Sequence, residues 1–158
     1  MNNNLMFSSG KDDWETPREF FETLNKEFDF DLDPCATLKT AKCARYFTPE
    51  DNGLSKSWIG PEGGRVFCNP PYSKRTKEKP GQEDWIAKAA EEGAKPGAVV
   101  VMLLPARTDT IAFHTHIYKK AEIRFIKGRL RFLTNGKSGD AAPFPSMLVI
   151  FRGPEVEK

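Results

Sequence analysis

Cysteine is scarce in this chain of 158 residues: there are three, Cys35, Cys43 and Cys68, widely spaced and without a CxxC pair. An odd, scattered set excludes a disulfide framework and suits reduced, buried thiols in a cytosolic protein. Histidine is scarcer still. His114 and His116 do not complete a metal set with those thiols, so no metal site is predicted. No apolar run approaches a membrane span, and Met1-Asn2-Asn3-Asn4-Leu5 lacks the charged and apolar regions of a signal peptide. A large excess of charge is missing too. With a net charge of +2, any binding to nucleic acid has to come from local patches.

What the chain does contain is enough apolar residue, 39%, for one globular domain with a real core across residues 1–158, and no room for a separate target-recognition domain. A helix is predicted from Thr16-Pro17-Arg18-Glu19, with Thr16 as N-cap, Pro17 in the first helical position and Glu19 completing a capping box. Phe20, Phe21, Leu24 and Phe28 then form an apolar stripe at helical spacing. Residues 28–32 alternate Phe-Asp-Phe-Asp-Leu, the period of a strand, which ends at Asp33-Pro34. Residues 45–47 read as a short strand and 61–64 as a turn feeding a strand at 65–68. A helix over 82–95 presents Trp85, Ile86, Ala89, Ala90 and Gly93 to the core and stops at Pro96-Gly97. Residues 98–104 are a continuous apolar run, as in a strand buried on both faces. A second helix is predicted over 108–120, and strands over 123–126, 130–133 and 147–151, the first two joined as a hairpin across Lys127-Gly128. This alternation predicts an α/β sheet with helices on both faces, whose ligands sit beyond the carboxyl ends of its strands.

Directly after the strand Val66-Phe67-Cys68 comes Asn69-Pro70-Pro71-Tyr72. Two prolines fix φ and remove two donors, so the turn is rich in acceptors. The Asn69 amide and the Pro70 carbonyl can accept hydrogen bonds from a flat, amino-bearing substrate, and Tyr72 offers a stacking face. The plainer alternative is a Pro-rich turn that caps a core strand. Lys74, Arg75, Lys77 and Lys79 follow at once, placed either to meet phosphates or as a solvated face. A second basic group, Lys119, Lys120, Arg124, Lys127, Arg129 and Arg131, carries the same two readings.

In order along the chain, Trp14-x-Thr16-Pro17, residues 30–36 (Phe-Asp-Leu-Asp-Pro-Cys-Ala), residues 66–72, Trp85, residues 103–110 (Leu-Leu-Pro-Ala-Arg-Thr-Asp-Thr), residues 128–132 and Phe144-Pro145-Ser146 resemble the phage and prophage Dam-like DNA N6-adenine methyltransferases. The resemblance implies a compact Rossmann-like class I methyltransferase sheet, S-adenosylmethionine as cofactor and double-stranded DNA as substrate, in the cytoplasm of a bacterial host. It implies catalysis by Asn69, Pro70, Pro71 and Tyr72, with Tyr72 stacking on a flipped-out adenine. It implies cofactor binding by Trp14, Thr16, Pro17, Asp33, Pro34 and Asp51, with Thr16 and Pro17 at the methionyl carboxylate, Asp33 at the ammonium and Asp51 at the adenosine. Thr16 is equally a structural cap, and Asp51 equally a solvated loop acid with Glu50 interchangeable. Residues 33–40 depart from the common pattern in having no glycine, which leaves a catalytically inactive nucleic-acid-binding module as a rival. A methyltransferase of the same class acting on RNA or a protein amide is the other.

Overall fold

The computed structural model describes residues 14–134 and 136–156; the expectation for residues 1–5 lies outside them. In chain order the strands are β1 (Gly64–Cys68), β2 (Ala98–Pro105), β3 (Glu122–Phe125), β4 (Leu133–Thr134), β5 (Lys137–Ser138) and β6 (Ser146–Arg152). The helices are α1 (Arg18–Phe28) and α2 (Gln82–Gly93).

β2 organises the rest. It has no charged residue, and its side chains alternate between two cores: Val100, Met102 and Leu104 in one, Val101 and Leu103 in the other. A strand so apolar on both faces needs a cover on each. α1 covers one face through Phe21, Leu24 and Phe28, and α2 the other through Trp85, Ile86 and Ala89. The sheet order is β1-β2-β6-β3, with β1 parallel to β2 and β6 antiparallel to both β2 and β3. Residues 31–33 continue the sheet beyond β1: Leu32 pairs in parallel with Val66, and Phe67 N–H donates to Leu32 O at 3.0 Å. Tyr46 in turn pairs in parallel with Asp33. The result is the α/β, Rossmann-like arrangement expected, in a small sheet.

α1 reaches that edge by a tight reversal. Asp29 takes a left-handed conformation (φ 54°) and its N–H donates to Asn25 O at 2.8 Å, while Asn25 Oδ1 accepts from Phe30 N–H at 2.8 Å. The helix is also tied to the far side of the sheet. Arg124 on β3 meets both carboxylate oxygens of Glu27 at 2.8 Å and also pairs with Glu122, which pairs with Arg152 on β6.

Three expectations are corrected. Thr16 is not the N-cap of α1; that position is Pro17, with no side-chain cap, because the Thr16 hydroxyl accepts a hydrogen bond from Asn69 instead. The helix predicted over 108–120 is only a short helical segment with a π-helical turn at Phe113–Ile117. Phe113 and Ile117 are its buried side chains, so a single turn satisfies the core. The hairpin predicted across Lys127-Gly128 does not form: β3 pairs with β6, and Leu133–Thr134 pairs with Lys137–Ser138. Phe132 is drawn away from β3 into an aromatic cluster with Trp14 and Phe144.

Glu92, within the α2 face predicted to be apolar, is 1% exposed. Its Oε1 accepts from Trp58 N–H (2.8 Å), Ile59 N–H (3.2 Å) and Lys95 Nζ (2.9 Å), and Oε2 from Lys88 Nζ (3.1 Å). Burial opposes ionisation, but these donors outweigh it and hold the carboxyl below its usual range. The contribution is present above the ordinary value of 4.5 and is lost as pH falls through the lower folded value. Glu92→Ala leaves two backbone donors and two lysines without their acceptor. Urea unfolding at pH 7 is expected to register a loss of roughly 3 kcal/mol, or about 10 °C in Tm. A loss below about 0.5 kcal/mol would show that the network contributes nothing.

Candidate active site

The site grows out of the carboxyl edge of the parallel strands. β1 ends at Cys68, opposite Met102 of β2, and the prolines at 70 and 71 lack the N–H groups that would extend the ladder. The chain therefore turns out of the sheet at Asn69. Asn69 Nδ2 donates to Trp14 O and to Thr16 Oγ1, the latter at 3.0 Å. A carbonyl only accepts, so the Trp14 contact fixes which end of the amide is which. Oδ1 then points elsewhere, buried and without a partner among the described residues. An unpaired buried acceptor costs about 1–3 kcal/mol, so it stands out as a place for a donor from a ligand.

Tyr72 is fixed rather than swinging. Its hydroxyl donates to Leu103 O at 3.0 Å, and its ring meets Phe144 and Phe132 nearly edge-on at 5.6 and 6.3 Å. Trp14 closes the cluster against the same two phenylalanines at 5.2 and 5.5 Å. Burial pushes the Tyr72 phenol well up, so it stays a neutral hydroxyl.

On the neighbouring strand, Asp33 is 4% exposed. Oδ1 accepts from Cys35 N–H at 3.4 Å and Oδ2 from Lys42 N–H at 3.1 Å. The Lys42 ammonium is turned away, paired with Glu15 at 3.0 Å. Burial is the largest effect on Asp33 and drives its carboxyl up to about 7, against those two N–H bonds and the charge of Lys42. A buried carboxylate so short of positive charge is a natural seat for a cation. The segment from Trp14 to Pro17 links the two halves: Glu15 reaches the Asp33 side through Lys42, and Trp14 and Thr16 hold Asn69.

Pro34 is buried beside them, and the loop that carries Gly53 packs closely against its carbonyl. A Cβ on Gly53 would lie 2.2 Å from Pro34 O and 3.2 Å from the Trp85 ring. Asp51, in the same loop, is exposed. Its carboxylate accepts from the Thr48 N–H (2.9 Å) and hydroxyl (3.1 Å), which hold it below its usual range. Glu50 is exposed beside it.

The basic loop after Tyr72 is divided. Arg75 is spent on α2: its guanidinium pairs with Asp84 at 2.6 Å and its N–H donates to Glu83 Oε1 at 3.0 Å. Lys74, Lys77 and Lys79 are exposed. A shallow groove between this loop and α2, lined by Arg75, Lys77, Lys79, Asp84, Lys88 and Glu91, mixes both signs of charge and includes none of the tetrapeptide. The second basic group does not form one face. Arg124 is paired with Glu27 and Glu122, while Arg129 and Arg131 donate to the carbonyls of Ala142 and Gly139. Sequence reasoning gave no role to Glu15, Lys42, Gly53, Phe132 or Phe144. Their partners lie tens of residues away, so no local period marks them.

Because the folded value for Asp33 lies above the ordinary 3.8, the native state keeps a proton that the unfolded chain has released. Stability is therefore lost as pH rises from 3.8 to about 7. Asp33→Asn is expected to melt several degrees above the wild type at pH 8, with the gap narrowing on acidification. Thermal scans across that range would contradict this burial effect if the variant melted lower at pH 8.

The chain has relatives among known proteins. The DNA N-6-adenine-methyltransferase (Dam) family matches it over residues 4–157. It is 32% identical over 148 residues to the DNA N-6-adenine-methyltransferase of Haemophilus phage HP1, covering 90% of this chain and 80% of that one. To the DNA N-6-adenine-methyltransferase of Escherichia phage T1 it is 31% identical over 160 residues, covering 90% of this chain but only 63% of that protein. Matched from one end to the other and carrying its acceptor turn at the sheet's carboxyl edge, the chain belongs to the DNA N-6-adenine-methyltransferase family.

Proposed function

We propose that this member of the family methylates N6 of an adenine flipped out of double-stranded DNA, using S-adenosylmethionine, within a single methyltransferase domain. The observation that carries the assignment of roles is the buried, unpartnered Oδ1 of Asn69, in an amide whose orientation is set by Trp14. Adenine N6 is a weak nucleophile because its lone pair is delocalised into the ring. Asn69 Oδ1 and the Pro70 carbonyl accept its two hydrogens, favouring a pyramidal nitrogen and stabilising the positive charge that develops on it. Pro70 and Pro71 hold these acceptors rigidly, and Tyr72, held at its hydroxyl by Leu103 O and packed against Phe144, offers a ring face to the base. A duplex base reaches such a site only by leaving the stack.

S-adenosylmethionine supplies an activated sulfonium methyl, so the remaining work is placement. The donor set fits its amino-acid end. Asp33 takes the ammonium, which restores the carboxylate charge that burial suppresses. The first turn of α1, behind Thr16 and Pro17, lacks a side-chain cap and offers N–H groups to a carboxylate. Trp14 and Pro34 wall this region. Asp51 is assigned to the adenosine with the least support, since Thr48 already engages it. DNA contacts fall to Lys74, Lys77 and Lys79, with Arg75 holding the loop to α2. The β4–β5 hairpin, bridged to Glu15 beside the aromatic cluster, reads the sequence. No helix among the described residues is long and apolar enough to cross a membrane. That two of the relatives come from phages of bacteria supports an activity in the cytoplasm of a bacterial host.

Labelled methyl transfer to duplex DNA, RNA and protein in parallel, followed by nucleoside analysis, tests this reading. N6-methyladenine is expected in the DNA, and its absence at saturating cofactor refutes the proposal. Asn69→Ala is expected to lower kcat by on the order of 10²-fold; a rate within threefold of wild type rules out the acceptor role. Calorimetry should show S-adenosylmethionine binding weakening as pH drops below about 7, where Asp33 takes up its proton, and Asp33→Asn should bind weakly without that dependence. Replacing Lys74, Lys77 and Lys79 by Ala should reduce the slope of log Kd against log salt by roughly 2 to 3. An unaltered slope returns the loop to a solvated face.

A further inference from the structure

Removing a base from a duplex leaves a gap between its neighbours, and proteins that distort DNA frequently fill such gaps with an apolar side chain. Ile111 is 86% exposed and Leu38 80%, the two highest values among the large apolar residues described. Leu38, in a turn, and Ile111, the first residue of the short helical segment behind the loop 106–110, both follow the carboxyl ends of strands flanking β1, the strand that ends in Asn69. Leu38 follows residues 31–33 on one side, and Ile111 follows β2 on the other. Phe125, also exposed, stands at the end of β3, two strands away from β2.

The setting of Ile111 is the more suitable for a tool that must push into DNA. The helical turn that carries it is pinned from within: Phe113 N–H donates to Thr110 Oγ1 at 3.1 Å, His114 N–H to Thr110 O at 3.3 Å, and the His114 ring lies 2.8 Å from Thr108 O. Phe113 anchors it in the core, and a β-branched side chain at 111 has few rotamers to lose. Arg107, exposed at the start of the loop 106–110, supplies positive charge beside it, with Asp109 as the opposing acid. Leu38 instead follows Asp33 by five residues in the chain, in the segment assigned to the cofactor. On the reading of the chain as a DNA adenine methyltransferase, we infer that Ile111 is a wedge that enters the base stack at the place vacated by the target adenine, with Arg107 meeting the adjacent phosphate. This gives a function to the exposed part of the Leu103-to-Thr110 motif and its continuation.

A wedge matters only while there is a base pair to open. Single-turnover methylation is compared on two duplexes built around an adenine that the wild type is shown to modify. In one the target adenine is paired with thymine, and in the other it faces an abasic site. Ile111→Ala is expected to lose roughly tenfold or more on the paired duplex and less than about threefold on the abasic one, with Ile111→Leu close to wild type on both. Arg107→Ala is expected to weaken binding to both duplexes. An equal loss on both duplexes for Ile111→Ala, no loss on either, or a duplex-selective loss for Leu38→Ala in its place overturns the wedge alone. If the wild type methylates no adenine in duplex DNA, so that no such substrate can be built, the methyltransferase reading falls and the wedge with it.

Discussion

One side-chain amide holds the site together. Asn69 donates both to the carbonyl of Trp14 and to the hydroxyl of Thr16, so the end of β1 and the approach to α1 share a fixed geometry. The same two bonds use up the donor half of the amide and leave its oxygen unpaired in a buried position. Structure and chemistry therefore meet in one group. The contacts that position the acceptor are also what prevents the protein from satisfying it.

The second half of the site follows a similar logic. Asp33 sits one strand over, ionised with difficulty because it is buried, with the Lys42 ammonium committed to Glu15. Both groups are kept in unfavourable states by a well-packed surround: β2 buried on both faces, two helices covering it, and an aromatic cluster over Tyr72. Networks remote from the site, Glu92 with its lysines and Arg124 with Glu27, offset part of that cost. This is the pattern expected where local strain in a binding site is balanced by stability elsewhere.

The division of the basic residues has a comparable origin. A count of charges along the chain suggests two patches, yet charge in a sequence does not tell which cations are already paired. Arg75 belongs to Asp84, and Arg124 to Glu27 and Glu122, because guanidinium groups match carboxylates two oxygens at a time. Lys74, Lys77 and Lys79 remain exposed on the loop that follows the acceptor turn.

Most of the fold was legible in the sequence because it rests on local periods. The stripe of α1, the apolar run of β2, the β1 strand and its Asn-Pro-Pro-Tyr ending are fixed by spacing and by what proline forbids. The acceptor-rich turn and the buried aspartate at adjacent strand ends were legible for the same reason. What only the tertiary structure decided were the bonds made across distance. Thr16 serves Asn69 rather than capping its helix, Phe132 leaves a strand to join Trp14 and Phe144, and Gly53 packs against the Pro34 carbonyl from a separate loop. Each is a competition between a local and a distant partner. The local choice can be read from neighbouring residues, but the distant one wins wherever it buries an aromatic ring or satisfies a buried donor.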